Sequence, residues 1–385
     1  MVNVERPAVR GRRRASTSRL QILARVVFAA LVVVSLVGGV AGGLWRLGVA
    51  LPDPLSFPWT GQVLLVHAAL MICGFLGTVI GLERAVAVKH PAAFFAPLAS
   101  GSGALCLALG QQVAGAWLGA AAALSFLAVN AVVVRRQRAA HTVLLLVGAA
   151  AWLVGNLLFA SGRDGNAVFP WWFAFLVMTI AAERLEMTRL MRRRPVASVT
   201  LHAVLLLLLV GAACSGVAPR IGGLVYGAAL VLLALWLVSF DVARRTAFAH
   251  GISRYMAICL LGGYAWLGVA GVAWATTALG WPTRDAALHA LGLGFVLSMM
   301  MGHAPVVLPA IARVKLQFGA FFYLPLAALH LSLLTRLVMG LFSEPLRAAG
   351  ASFNAATIGF FAATMAGAAV AWRFQHGAAR ARKTR

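Results

Sequence analysis

Apolar runs of about 20 residues recur from one end of the chain to the other, and this recurrence limits the fold more than any motif does. A helix of that length crosses a hydrocarbon layer of ~30 Å, and short links between such helices leave room for one bundle only. Spans are predicted at 22–48, 61–86, 92–110, 114–134, 140–160, 168–188, 197–217, 221–242, 255–279, 285–312, 319–341 and 353–373. The expected fold is therefore all-α, a polytopic membrane bundle of about twelve transmembrane helices over residues 22–373. Basic tails at 1–21 and 374–385 flank it. Composition agrees: of 385 residues, 62% are hydrophobic and 11% charged, and a mean hydropathy of +0.90 exceeds what a water-soluble core can bury.

A formal net charge of +24 invites a nucleic-acid partner, and its distribution argues against one. Arg10, Arg12, Arg13 and Arg14 precede the first span, Arg135, Arg136 and Arg138 follow the fourth, and Arg192, Arg193 and Arg194 follow the sixth. Arg244 and Arg245 follow the eighth, and Arg380, Arg382, Lys383 and Arg385 end the chain. Basic clusters on every second connection are the positive-inside pattern, which places both termini in the cytoplasm of a bacterial inner-membrane protein. The expected macroscopic partner is lipid, not nucleic acid. The first apolar run is too long for a signal-peptide core and reads as an uncleaved anchor. Cys73, Cys106, Cys214 and Cys259 fall inside spans without a CxxCH pattern, so any haem would be held by non-covalent ligands.

Ionisable residues within a membrane cost a few kcal/mol unless paired, hydrated or ligating, which makes them informative. Glu83, Glu183, Glu186 and Asp241 fall near cytoplasmic span ends, with Glu83-Arg84 and Glu183-Arg184 expected to pair with interfacial neighbours. Asp53, Asp164, Asp285 and Glu344 read as external-loop residues, which leaves no carboxylate at mid-membrane. Histidines remain. At 1.5 Å per residue, His67 lies about 9 Å and His289 about 6 Å from the outer ends of their spans, a shared level. His330 comes out near mid-membrane and His303 about 27 Å from the outer end of its helix. Two imidazoles facing one another at one depth are what a bis-histidine haem b requires. His67 with Met71, and Met299 with His303, are spaced i, i+4 and add thioethers that suit copper(I).

His67-Ala68-x-x-Met71-x-x-Gly74-Phe75 resembles the second-helix signature of the NnrS family of haem- and copper-containing membrane proteins. Leu261-Gly262-Gly263-Tyr264-Ala265-Trp266-Leu267 and Leu288-His289-Ala290-Leu291-x-x-Gly294 resemble two later segments of that family, in the same order. The resemblance implies a haem b protein of nitric oxide metabolism or nitrosative stress, handling NO or electrons at the iron with NO or a redox partner as its counterpart. It carries His67 and His289 over as axial ligands. Ala69, Leu70 and Leu261 stand where the family has further ligand-type residues, which puts copper in question. Met71, Met299, His303 and His330 are left as candidate groups for a second metal or its surroundings. Arg336, deep in the eleventh span, and Arg46, at the outer end of the first, are candidate partners for haem propionates.

Phe75-Leu76, Ile80 and Glu83-Arg84 recur as Phe175-Leu176, Ile180 and Glu183-Arg184, which relates spans two and six and predicts span ten as a third equivalent. Three four-helix units of this kind are similar to subunit I of haem-copper oxidases. The copper-site histidines of that architecture are missing here apart from His202, so oxygen reduction is not expected. Two other classes stay open: a small-solute transporter whose tenth helix is broken at His303-Ala304-Pro305 and Pro309, and a cofactor-free assembly factor.

Overall fold

The computed structural model describes residues 7–51, 60–187, 195–312 and 314–383. Among them twelve helices are long and apolar enough to cross a membrane, and no strand occurs. They are α1 (Ile22–Arg46), α2 (Gly61–Val88), α3 (Pro91–Ala108), α4 (Gln112–Arg136), α5 (Ala140–Ala160), α6 (Gly165–Met187), α7 (Val196–Ser215), α8 (Pro219–Phe240), α9 (Gly251–Ala278), α10 (Arg284–Pro309), α11 (Ala320–Leu341) and α12 (Glu344–Gln375). The chain is an all-α multi-pass membrane protein. Asp53 and Arg192, Arg193 and Arg194 lie outside the described residues.

Three expectations need correction. Asp285 does not belong to a loop: it sits in the first turn of the helix Arg284–His289 that begins α10, because its carboxylate finds a cation on α11. Glu344 likewise opens the helix that carries α12, nine residues before the sequence-based start. Nor is α10 broken at its prolines, since the helix Ser298–Ala312 runs through Pro305 and Pro309.

Each helix packs on the next in sequence, and α12 returns to α1, so the twelve close into a ring. Helices α2, α6 and α10 turn inward, with α10 touching both of the others. Of the most apolar stretch of α6, 78% is buried, against 22% in α1 and α12, which fixes α6 at the centre. Three cavities follow the same plan. One of about 10 Å³ is walled by α2 to α6, one of about 380 Å³ by α6 to α10, and one of about 130 Å³ by α10 to α12 with α1, α2 and α6. Every third of the ring is therefore bounded by two of the inward helices and the three helices between them, which is the three-unit plan the internal repeat predicts.

Lipid is as apolar as leucine, so close backbone approach, rather than the hydrophobic effect, holds such helices together. Gly74 and Gly294 show this at matching places: a Cβ on Gly74 would stand 2.5 Å from Ala104 of α3, and one on Gly294 would stand 2.5 Å from Trp266 of α9. Both glycines lie in eight-residue π-helical segments, Leu70–Gly77 in α2 and Ala290–Leu297 in α10. Each reads Gly-Phe and then, three residues on, a fully buried hydroxyl, Thr78 or Ser298. Single π-turns of this kind concentrate at functional sites.

Candidate functional site

The third cavity is where the sequence-selected residues meet. His67 and Met71 enter it from α2, His289 from α10 and Arg336 from α11, with Phe169, Phe173 and Leu176 of α6 as an apolar wall. The rings of His67 and His289 have their centres 6.2 Å apart and their planes inclined by 25°. Both imidazoles are held from behind. Nδ1 of His67 donates to the carbonyl of Gly39 on α1, and Nδ1 of His289 lies 3.0 Å from a carboxylate oxygen of Asp285, one turn earlier. A proton fixed on Nδ1 leaves Nε2 as the basic nitrogen, the arrangement found behind metal-bound histidines. The His67 ring lies so close along α1 that a Cβ on Gly43 would stand 2.8 Å from its Cε1.

Arg336 organises the second imidazole. Its Nε and one terminal nitrogen donate to the two oxygens of Asp285 at 3.0 and 2.8 Å, and that terminal nitrogen also reaches Nε2 of His289 at 3.2 Å. The other terminal nitrogen meets Oδ1 of Asn354 on α12, whose amide donates to Ser332 at 2.6 Å. Arg336 is buried, so it neither reaches towards headgroups nor offers a free guanidinium to an incoming anion. Arg46 is exposed at the end of α1, within electrostatic range of His67.

The remaining candidates are elsewhere. Nδ1 of His330 accepts a hydrogen bond of 2.9 Å from Trp266, while Met299 is buried against Gly263. His303 lies in the opposite half of α10, where its neighbours are Glu83, Arg184 and Asp241. No group of three or more histidine, cysteine or carboxylate side chains that could hold a metal ion converges among the described residues. Arg184, near the end of α6, pairs with Asp241 at the end of α8 through bonds of 2.9 and 3.0 Å, with both side chains buried.

The 6.2 Å between the ring centres is close to the roughly 6 Å that a metal held about 2 Å from one nitrogen of each imidazole would set. The apolar walls suit a planar macrocycle around that metal. Ligation by Nε2 of His289 requires Arg336 to release it. Sequence reasoning missed Asp285, Asn354 and the carbonyl of Gly39. The i, i+4 spacing of Asp285 and His289 was a usable signal; the other two have none.

A family model described as Domain of unknown function (DUF8744) matches residues 25–370. No curated protein and no solved structure matches the chain.

Proposed function

We propose that this chain, which belongs to the DUF8744 family, is a haem b protein of the bacterial inner membrane that handles nitric oxide or electrons. Both termini and the arginine-rich ends of the helices face the cytoplasm in this reading, as the positive-inside pattern requires. The observation that carries it is the facing pair His67 and His289, on two inward helices, each with its Nδ1 tied back, so that Nε2 is the nitrogen left to ligate once Arg336 lets go of His289. Support also comes from the resemblance to NnrS-like segments around the same two residues.

When bound, the haem would supply a one-electron couple and, with one of the two imidazoles displaced, a place for NO. The protein's part is orientation and charge. Gly39 and Asp285 fix the two tautomers, and Arg336 neutralises Asp285 so that the carboxylate can stay ionised behind His289. Arg46, exposed at the end of α1 and within electrostatic range of His67, is the cation proposed for a propionate. Copper is given no role, because Met71 alone is a single soft donor beside the pair.

Protein purified in detergent from haem-replete cells is expected to show a Soret band that sharpens on reduction with dithionite. His67→Ala and His289→Ala are each expected to remove or shift it. A protein that stays colourless after haem supplementation would sink the reading.

A further inference from the structure

Helices α2 and α10 carry polar side chains at matching heights. His67 stands opposite His289. About 16 Å along α2 comes Thr78, and about 14 Å along α10 comes Ser298, at 1.5 Å per residue. About 7 Å further on, each helix carries a titratable group, Glu83 on α2 and His303 on α10. The segments bearing these lower two levels, Thr78–Val88 and Ser298–Ala312, are in contact.

The middle level is the anomaly. Thr78 and Ser298 are fully buried, and neither hydroxyl oxygen has a hydrogen-bond partner. Nε2 of His303 is also buried without a partner, because its Nδ1 is used on the carbonyl of Met299 at 2.7 Å. A buried hydroxyl left unpaired costs about 1–3 kcal/mol, and buried water is the usual way proteins avoid that cost. Below this level sits a charged cluster. Glu83 lies within electrostatic range of Glu183, Arg84 and His303, Glu183 of Arg84, Arg184 and Glu186, and His303 of Arg184, Glu83 and Asp241.

We infer that a file of bound water joins these levels and carries protons between the Glu83/Glu183 pair and the His67/His289 cavity, by way of His303, Ser298 and Thr78. Each transfer moves one proton along a hydrogen bond and nothing else is consumed. The file itself does not depend on a cofactor. Its use as a proton supply rests on the haem reading above.

Radiolytic hydroxyl labelling with mass spectrometry tests the file, since radicals form from water next to the residue oxidised. Met299, 3% exposed and adjacent to Ser298, should be oxidised faster than Met178, 2% exposed and packed between α5 and α6. The double variant Thr78→Val, Ser298→Ala should bring Met299 down to the Met178 rate. Equal rates in the unaltered protein would overturn the file. For proton supply, haem-loaded protein is reduced in a stopped-flow cell with a pH indicator. Uptake should slow about a hundredfold in Glu83→Gln, Glu183→Gln while the reduced spectrum is unchanged. Uptake at the original rate would overturn the proton role. A colourless preparation would instead count against the haem reading, with the labelling result still deciding the file.

Discussion

Asp285 and Arg336 tie α10 to α11 through two parallel hydrogen bonds of 2.8 and 3.0 Å, and the same guanidinium touches His289. This makes the pair both a clamp between helices and the back wall of an imidazole. Removing one partner of a buried ion pair leaves an uncompensated charge, at a cost of about 3–5 kcal/mol for full burial. With Asp285 about a quarter exposed, Arg336→Gln is expected near the lower end of that range. Thermal unfolding in detergent measures it, and Asp285→Asn in the Arg336→Gln background should restore most of the loss. Haem retention should fall in Arg336→Gln and stay unchanged in Arg347→Gln, whose partner Glu344 is exposed.

The contact of α1 with His67 separates structural from ligand effects. A Cβ on Gly42 would come within 2.2 Å of the carbonyl oxygen of Val63, whereas one on Gly43 would press on the His67 ring. Gly42→Ala should therefore lower the melting temperature by forcing two backbones apart. Gly43→Ala should leave stability nearer the original and move the Soret maximum or the reduction potential. The reverse pattern would mean that the His67 ring is not held by α1.

Phe169 and Leu288 line both the cavity of about 380 Å³ and the His67/His289 cavity, as a common wall. Leu288→Ala should join the two spaces. Flash photolysis of the carbon monoxide complex of the reduced, haem-loaded protein is expected to show faster rebinding. The stability cost should be about 2 kcal/mol, the low end for a leucine truncation. Unaltered rebinding would show that small ligands arrive by another route.

Arg184 and Asp241, 3% and 2% exposed at their side chains, form a bidentate pair between α6 and the end of α8. Asp241 also accepts from the backbone N–H of Ala243 at 2.7 Å. Asp241→Asn should cost about 3–5 kcal/mol. Arg184→Lys should fail to substitute, because a single ammonium cannot serve both oxygens in that geometry. Denaturation in mixed micelles reads both effects.

The number of spans, their order and most boundaries were legible because apolar length alone decides them; the start of α12 was not, since Glu344, Arg347 and the small residues after them hide a helix from hydropathy. The equivalence of α2 and α6 was visible in Phe75 and Phe175, and that of α10 was inferred from it, although Gly74-Phe75 and Gly294-Phe295 carry it directly. Depth counting paired His67 with His289 correctly, because rise per residue is nearly fixed by the backbone. What the chain concealed is the partnership of Asp285 with Arg336, 51 residues apart. No local pattern announces a contact between helix ends, and a carboxylate near a span boundary reads as a loop residue until a cation is found beside it.

The paired π-segments make the two helices sensitive to length in a way that point substitutions do not reveal. An α-helix turns about 100° per residue, and each π-turn accommodates one residue more than regular winding would. Deleting one residue from Leu70–Gly77 would restore regular winding and swing Thr78 and Glu83 about 100° around the helix axis relative to His67. Ser298 and His303 would then face a helix whose polar side chains point elsewhere. A compensating deletion within Ala290–Leu297 would turn both lower halves away together. Homologous chains should therefore gain or lose residues in these two stretches as a pair or not at all.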